Sequence, residues 1–414
     1  MDSGNIAWLL TSASLVLLMT PGLALFYGGM SRGKSVLNMM MMSFGAIAVV
    51  AVAWVLVGNG ISVGESVGGL FGNPGADFLL SNSWADAATS ETGGEDLIAT
   101  GFGATFAIIT VALISGSIAD RAKFSAWLVF AFVWAIVVYA PVSHWVWGGG
   151  ILAEGGGIFT EDWYPQDFAG GTVVHINAGV AGLVLALILG IRKGFGKDRM
   201  RPHNLPLVML GAALLWFGWF GFNAGSAFAA DVNASAAWVN TTASTAAAIL
   251  GWLLVEKIRD GKATSLGAAS GIVAGLVAIT PAAVAVDPWG ALLIGVFAGI
   301  FSSLAVGLKF KFNYDDSLDV VGVHLVAGLW GTLAIGLFGT DTFGEWNGLF
   351  TGGGIEGLWA QTLAAVITMV YAAIATLIIG LAIKYTIGFR VPEEVEVSGI
   401  DLVEHGETAY EEAK

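Results

Sequence analysis

His175-Ile-Asn-Ala-Gly-Val-Ala-Gly182 and His324-Leu-Val-Ala-Gly-Leu-Trp-Gly331 are two segments that share the pattern His-x-x-Ala-Gly-x-x-Gly. Each lies in an apolar run of about 20 residues, the length that a helix needs to cross the hydrocarbon core of a bilayer. The glycines four and seven positions after each histidine lie along one helix stripe, where they permit close approach of a second backbone. The two segments therefore predict membrane helices that pack closely and that each carry one histidine.

The composition of the whole chain predicts a polytopic membrane protein. Of its 414 residues, 56% are hydrophobic and 12% are charged, whereas a soluble domain has about 25% charged residues. Cysteine is absent, which excludes disulfides, thiolate metal sites and cysteine nucleophiles. We expect an all-α fold with eleven transmembrane helices, the first of which is too long for a cleaved signal peptide. The apolar runs are 6–28, 37–57, 98–118, 124–144, 169–191, 205–222, 237–255, 264–281, 289–308, 320–338 and 357–383.

The basic residues predict the orientation of these helices. All 17 lysine and arginine residues follow the first, third, fifth, seventh or ninth run or lie in the tail, and the alternate loops contain none. Basic loops stay on the cytoplasmic side of a membrane. The amino terminus is therefore expected outside and the carboxyl-terminal tail inside.

The position of the two histidine segments predicts an inverted repeat. They lie five runs apart, an odd number, so the fifth and tenth helices cross the membrane in opposite directions. Inverted repeats place their sites near the midplane, where the two halves meet. The expected organisation is a transmembrane domain at 1–383, with halves at about 6–191 and 205–338 and an extra helix at 357–383, followed by a cytoplasmic tail at 384–414.

The two histidines are expected at similar depths in the membrane. His175 lies eight residues after Asp167 at the outer end, and His324 lies five residues after Asp319 at the inner end. At a rise of 1.5 Å per residue, His175 is expected about 12 Å and His324 about 8 Å into a core that is about 30 Å thick, so both approach its middle. A hydrogen bond to a backbone carbonyl would explain a single buried histidine, but two in a shared inverted motif favour a function.

The chemistry of this pair does not favour a metal or an ion. A metal site needs three or four ligands, and no further histidine or cysteine lies at that depth, so we expect neither a metal nor a cofactor. Two neutral imidazoles can hydrogen-bond to each other and leave one donor and one acceptor for a small polar solute. The pair therefore suits an uncharged or transiently neutralised species.

Acidic residues give the chain a net charge of −14, but they divide almost evenly between the two predicted sides. We therefore do not expect a nucleic-acid partner. The outer loop 58–97 has six acids and no base. This loop either attracts cations or is an ordinary solvating surface from a saline habitat, and both interpretations remain open.

Several segments resemble the ammonium transporter (Amt/Mep/Rh) family over nearly the whole chain. They are Asp167-Phe-Ala-Gly-Gly-Thr-Val-Val-His-Ile-Asn-Ala-Gly179, Pro21-Gly-Leu-Ala-Leu-Phe-Tyr-Gly-Gly29, Arg121-Ala-Lys-Phe-Ser125, Trp145-Val-Trp-Gly-Gly149, Pro202-His-Asn-Leu-Pro206, Gly218-Trp-Phe-Gly-Phe-Asn-Ala-Gly-Ser226 and Gly399-Ile-Asp-Leu-Val-Glu-His-Gly-Glu-Thr-Ala-Tyr410. Trp147 and the tail resemble the Amt branch. The resemblance implies a homotrimer in a prokaryotic cytoplasmic membrane, with one pore of eleven helices per subunit and no enzymatic activity.

The resemblance also implies roles for individual residues. An external site that recruits ammonium would consist of Phe102, Phe106, Trp147 and Ser226, supported by Asp167. Phe106 and Phe222 would close this vestibule, with Trp219 beside them, and His175 and His324 would line the pore. The residues expected at the inner mouth are Thr280, Asp316 and Asp319. Without the resemblance, Phe102 and Phe106 read as a packing pair, Trp147 as part of an interfacial belt and Asp167 as a helix N-cap.

The function that the resemblance implies is transport of ammonium or ammonia. Ammonium would bind outside, lose its proton near the phenylalanine gate, pass the histidines as ammonia and regain a proton inside. An alternative is an ammonium sensor that signals through the tail, although the short tail leaves little room for an output domain. In the family, this tail packs under the pores and communicates with PII-type (GlnK-like) proteins. No lysine lies within a span, which excludes a retinal Schiff base, and no paired nucleophile suggests an intramembrane hydrolase.

Overall fold

A computed structural model describes residues 3–160, 162–198 and 200–410. Eleven helices in this part of the chain are long and apolar enough to cross a membrane, which confirms the predicted fold class. They are α1 (Ser3–Met30), α2 (Val36–Val63), α3 (Gly93–Ile118), α4 (Phe124–Trp147), α5 (Gly171–Leu189), α6 (Leu205–Gly225), α7 (Val232–Arg259), α8 (Ser265–Ala282), α9 (Pro288–Phe312), α10 (Val321–Phe338) and α11 (Glu356–Thr386).

Short elements lie outside the membrane helices. The loop after α2 contains a two-stranded hairpin, β1 (Ser66–Val67) and β2 (Phe71–Gly72), and a helix at Ser81–Thr89. The tail forms two helices, Glu393–Ser398 and Ile400–His405. These elements lie at opposite ends of the helix bundle, because α2 begins beside the tail and ends at the hairpin.

The two halves share the same irregular turns at matching places. Helices α5 and α10 both begin with a π-helical turn, at Gly171–Ile176 and Val321–Leu325, and each turn contains one of the histidines. Helices α3 and α8 both end in a 3₁₀ turn, at Ser115–Ile118 and Thr280–Ala282. Two further π turns, Trp54–Gly58 in α2 and Ala135–Tyr139 in α4, have no counterpart in α7 or α9. The paired turns of α5 with α10 and of α3 with α8 therefore support the inverted repeat, and π turns are frequent at functional sites.

Small residues bring α5 and α10 together at the histidine segments. A Cβ atom added to Gly179 would lie 2.6 Å from Cβ of Leu325, and one added to Gly328 would lie 2.9 Å from Cβ of His175. Real Cβ atoms do not approach so closely, so a side chain at either position would push the helices apart. The glycines therefore set the separation at which the two imidazoles meet.

A buried ionic cluster joins the tail-side ends of α3, α5 and α10. The guanidinium of Arg192 donates two hydrogen bonds of 2.8 Å to the carboxylate of Asp315 and one of 2.8 Å to that of Asp120. Arg121 donates to Ser317 Oγ at 2.5 Å and to the carbonyl of Asp315 at 2.6 Å. Burial lowers the pKa of the Arg121 side chain to about 10. The cluster keeps the ends of both histidine-bearing helices at a fixed distance.

The tail packs against the same ends rather than extending into solvent. The carboxylate of Asp401 accepts hydrogen bonds from the backbone N–H groups of Leu37 (3.0 Å) and Asn38 (2.8 Å), at the start of α2. The carboxylate of Glu404 accepts one of 3.0 Å from the N–H of Phe124, at the start of α4. Negative groups at helix N-termini satisfy free N–H groups and favour the helix dipole, so the tail caps two membrane helices.

We predict that Arg192→Gln lowers the free energy of unfolding by about 3–5 kcal/mol, because it leaves the buried carboxylate of Asp315 without its guanidinium partner and that of Asp120 with only the 3.4 Å ion pair to Arg32. Arg259→Gln is the matched control, since Arg259 pairs with Asp260 at the surface and should contribute less than about 1 kcal/mol. Unfolding titrations in mixed detergent micelles measure both. Equal losses for the two variants would contradict a structural role of the buried cluster.

Candidate functional site

A wide vestibule opens at the end of the bundle opposite the tail. Its volume is about 1000 Å³, and the five residues predicted for the recruitment site all line it: Phe102, Phe106, Trp147, Asp167 and Ser226. The ring of Phe106 packs edge-on to Trp147 at a centroid distance of 6.1 Å and lies 4.7 Å from the ring of Phe102. Glutamate and aspartate side chains lie around the same cavity, namely Asp86, Asp96, Glu154 and Glu345.

Two of the vestibule residues are oriented by backbone contacts. Ser226 donates its hydroxyl hydrogen to the carbonyl of Phe222 at 2.8 Å, which leaves its oxygen lone pairs free to accept. The indole N–H of Trp147 donates to the carbonyl of Asp167 at 2.8 Å. This hydrogen bond fixes the orientation of the Trp147 ring and engages its N–H, the one polar group of the indole.

Asp167 lies beneath the vestibule as the cap of α5. Its carboxylate accepts hydrogen bonds of 2.6–3.1 Å from the backbone N–H groups of four successive residues, Gly170, Gly171, Thr172 and Val173. Four N–H donors occupy most of the lone pairs of a carboxylate. Asp167 therefore shapes the start of α5, in line with the N-cap that the sequence suggested, and adds a buried acid below the aromatic residues.

Stacked phenylalanine rings close the floor of the vestibule. The rings of Phe106 and Phe222 lie 4.0 Å apart at an angle of 10°, and both side chains are buried. Phe106 lines the vestibule, whereas Phe222 lines a second, much smaller cavity beyond it. A permeating molecule must therefore displace these rings to pass from one space to the other.

The histidines meet in this second cavity. Nδ1 of His175 lies 3.3 Å from Nδ1 of His324, and both side chains are almost fully buried. The indole of Trp219 stacks on the imidazole of His175 at 5.4 Å and 18°. The cavity has a volume of about 10 Å³, close to the minimum for one water molecule. Its other lining residues are Met19, Leu23, Ile109, Leu113, Val174, Leu215, Phe222 and Val273.

The contact between the Nδ1 atoms fixes what the imidazoles can offer. A hydrogen bond between two Nδ1 atoms needs the hydrogen on one ring and a bare nitrogen on the other. One Nε2 atom is then a donor and the other an acceptor, and Nε2 of His175 has no partner among the described residues. The pair can therefore receive a small neutral molecule that both donates and accepts hydrogen bonds.

Two of the three residues expected at the inner mouth lie on the tail side of the histidines. The carboxylate of Asp316 accepts hydrogen bonds from the N–H groups of Val320 (3.1 Å) and Val321 (2.7 Å), and Asp319 forms an ion pair of 2.7 Å with Lys309. Burial, opposed by Lys309 and aided by Asp319, raises the pKa of the Asp316 carboxyl to about 6. The expected depth of His324 was counted from Asp319, but the counterpart of Asp167 is Asp316, since each precedes its histidine by eight residues.

The placement of Thr280 at the inner mouth was wrong. Its hydroxyl accepts a hydrogen bond of 2.8 Å from the indole of Trp219, and the carbonyl of the adjacent Pro281 accepts one of 3.2 Å from the N–H of Phe168. Helix α8 begins next to the tail-side loop and ends beside the start of α5, so Thr280 lies on the same side as Asp167. The sequence pattern did not indicate the bond between Thr280 and Asn223, nor the bond from Asn223 to Thr241.

No group of three or more His, Asp or Glu side chains that could hold a metal ion occurs at residues 3–160, 162–198 or 200–410. Outside the pore, His144 hydrogen-bonds to the carbonyl of Ser62 at 3.1 Å and to Ser66 Oγ at 2.9 Å, which stabilises the outer loop. His203 bonds to the carbonyl of Ser31 and to Tyr410 on the tail side. Neither of these histidines lines the pore cavity.

Eleven membrane helices around a small buried cavity with two bonded imidazoles define a polytopic membrane protein with an enclosed central site. Comparison with known proteins gives the family. Residues 7–410 match the model of the Ammonium Transporter Family, and the chain belongs to that family. It is a non-enzymatic, multi-pass membrane protein.

Individual relatives agree with this assignment. An ammonium transporter of Mycobacterium tuberculosis is 55% identical over 432 residues, which cover 99% of this chain and 91% of that protein. The structure of Saccharomyces cerevisiae Mep2 superposes with a TM-score of 0.87 at 30% identity and covers 100% of this chain and 93% of that chain. A structure titled Sensor Amt Protein superposes with a TM-score of 0.86 at 27% identity, over 97% and 98% of the two chains.

We predict that Asp167→Ala lowers the free energy of unfolding by about 1–3 kcal/mol, because four backbone N–H groups lose their acceptor. Asp287→Ala is the control, since Asp287 stands at the N-terminus of α9 without a side-chain cap bond and should contribute less than about 1 kcal/mol. Unfolding titrations in detergent compare the two variants. A smaller loss for Asp167→Ala than for Asp287→Ala would contradict the capping role.

Proposed function

We propose that the protein transports ammonium or ammonia across a prokaryotic cytoplasmic membrane, with the vestibule outside and the tail inside. The observation that carries this proposal is the bonded pair of buried imidazoles in a nearly closed apolar cavity, directly beyond a gate of stacked phenylalanines. The family membership supports ammonium as the substrate. The alternate-loop distribution of lysine and arginine supports the orientation.

Recruitment takes place at the aromatic and polar surface of the vestibule. Ammonium is a weakly hydrated cation with four N–H donors, and an aromatic face attracts such a cation by about 0.5–2 kcal/mol. The faces of Phe106 and Trp147 supply this attraction, and Ser226 Oγ has lone pairs available for one N–H donor. Potassium gains part of the same attraction, so recruitment alone discriminates poorly between the two ions.

Selectivity arises at the gate and in the cavity beyond it. Moving a permanent ion into an apolar space costs many kcal/mol, and the cavity beyond Phe106 and Phe222 is narrow and apolar. Ammonium can leave its proton at or just below the gate and continue as ammonia, whereas potassium cannot lose its charge. Ammonia then passes along His175 and His324 and regains a proton beyond them, on the side of Asp316 and Asp319.

An ammonium sensor is the second candidate function. The likeness to a structure titled Sensor Amt Protein supports it, as does the tail, which caps α2 and α4 and so contacts the ends of the membrane helices. A sensor needs binding at the vestibule but little flux through the pore. Measured flux therefore separates the two candidates.

The oligomer and the partner follow from the family resemblance. We propose a homotrimer with one pore per subunit, in which the exposed apolar helix faces contact either lipid or the neighbouring subunits. We also propose that a PII-type (GlnK-like) signal protein binds on the face formed by the tail.

The proposed transport is tested with the purified protein in proteoliposomes. We expect ammonium-evoked flux in the wild type with little potassium flux. We predict that the double variant His175→Leu, His324→Leu changes the ammonium-to-potassium ratio by about tenfold or more, because the polar path for ammonia is lost. His203→Leu, which replaces a histidine outside the cavity, should keep the wild-type ratio.

Two outcomes would contradict the proposal. Absence of ammonium flux in the wild type, together with ammonium binding, would favour the sensor. An unchanged ratio in the double variant would exclude a role of the imidazoles in selectivity.

We predict that Trp147→Leu raises the ammonium concentration for half-maximal flux by about 2- to 30-fold, the factor expected when one cation–π contact is lost. Flux at saturating ammonium should change much less. Trp84→Leu is the control, since Trp84 is exposed on the helix Ser81–Thr89 and does not line the vestibule. A uniform loss of flux at all concentrations would count against a recruitment site at Trp147.

A further inference from the structure

The indole of Trp219 is oriented by a residue that does not line the histidine cavity. Trp219 lines the histidine cavity, but its N–H donates a hydrogen bond of 2.8 Å to Thr280 Oγ1, and Thr280 is not among the described residues that line this cavity. Because the indole has one N–H and no acceptor atom, the polar atom of the ring faces the protein. The ring therefore offers only its apolar surface to the cavity, where it stacks on His175.

Thr280 belongs to a chain of buried polar side chains on three helices. Its hydroxyl lies 2.8 Å from the carbonyl of Leu276 and 3.2 Å from Oδ1 of Asn223. The amide of Asn223 donates to Thr241 Oγ1 at 2.9 Å. Thr280, Asn223 and Thr241 are all fully buried, so water cannot replace any of these partners. These hydrogen-bonded side chains connect α6, α8 and α7 behind the pore wall.

The spacing on α6 explains why these hydrogen-bonded side chains act on the ring of Trp219. Trp219 and Asn223 lie four residues apart, so they share one face of the helix. Both therefore approach Thr280 on α8, one as a donor and the other as an acceptor. Rotation of the indole out of its stacked position would leave a buried N–H without an acceptor, which is an unfavourable change.

We propose that Thr280, with Asn223 and Thr241, positions Trp219 and thereby contributes to selectivity. This inference rests on the proposed transport of ammonia. With its N–H directed away, the ring leaves the imidazoles as the polar groups that a passing ammonia meets at this level. An indole N–H released into the cavity would compete for the lone pair of ammonia, and a tilted ring would widen the space beside His175.

The test compares conservative variants of Thr280 with a matched threonine elsewhere. Thr280→Val removes the hydroxyl at nearly constant volume, and Thr280→Ser keeps the hydroxyl. Thr376→Val is the control, because Thr376 Oγ1 accepts a 2.9 Å bond from the indole of Trp134, both residues are fully buried, and neither lines the histidine cavity. Ammonium and potassium fluxes are measured in proteoliposomes, and unfolding in detergent is measured in parallel.

We expect Thr280→Val to reduce the ammonium-to-potassium ratio by about tenfold, the factor that corresponds to loss of one buried hydrogen bond. Thr280→Ser and Thr376→Val should stay within about twofold of the wild type, although Thr376→Val lowers stability as Thr280→Val does. Thr241→Val, two hydrogen bonds further from the ring than Thr280, should change the ratio in the same direction by a smaller factor. Equal ratios in Thr280→Val and Thr376→Val would overturn the inference.

A double-mutant cycle tests whether Thr280 acts through the indole N–H. In the background Trp219→Phe, which lacks this donor, Thr280→Val should change the ratio by less than about twofold. A further tenfold change in this background would show that Thr280 acts by another route. If the wild type itself fails to distinguish ammonium from potassium, the proposed function fails instead, and the two failures are thus distinguishable.

Discussion

The close packing of α5 against α10 at their glycines is the constraint on which the hydrogen bond between His175 and His324 depends. A separation of 3.3 Å between side chains of two membrane helices requires closely packed backbones, and Gly179 and Gly328 provide that approach. The surrounding side chains are apolar, so each imidazole is the natural partner of the other. Because one Nδ1 must be bare, the bond keeps at least one ring neutral, which suits a path for a neutral solute.

Polar groups at the helix ends hold this pair in place. Inside a membrane every polar backbone group must find a hydrogen-bond partner within the protein. The irregular first turns of α5 and α10 leave N–H groups without a helical partner, and these donate hydrogen bonds to the carboxylates of Asp167 and Asp316. The cluster around Arg192 ties the other end of α5 to the start of α10. The same symmetric device therefore serves both halves, with one acid near each mouth of the pore.

The site meets two opposite demands in two different spaces. A cation is attracted most easily to a wide, partly hydrated cavity with aromatic faces and nearby acids, which describes the vestibule of about 1000 Å³. A charge is excluded most easily by a narrow apolar space, which describes the cavity of about 10 Å³ around the histidines. The stacked rings of Phe106 and Phe222 separate the two, so in the proposed transport the change from attraction to exclusion would take place over one pair of rings.

The eleven helices and the relation between α5 and α10 can be predicted from the residues alone, because span length and motif repetition are local properties of the chain. Counting spans would also have placed Thr280 opposite Asp319, and the eight-residue spacing would have paired Asp316 with Asp167. The folded protein was needed to show which rings stack, which nitrogens of the imidazoles meet, and that Trp219 bonds to Thr280 and Thr280 to Asn223. These features depend on the relative rotation and depth of helices that are distant in the chain. The residues of a single apolar run do not specify how that helix is rotated relative to its neighbours.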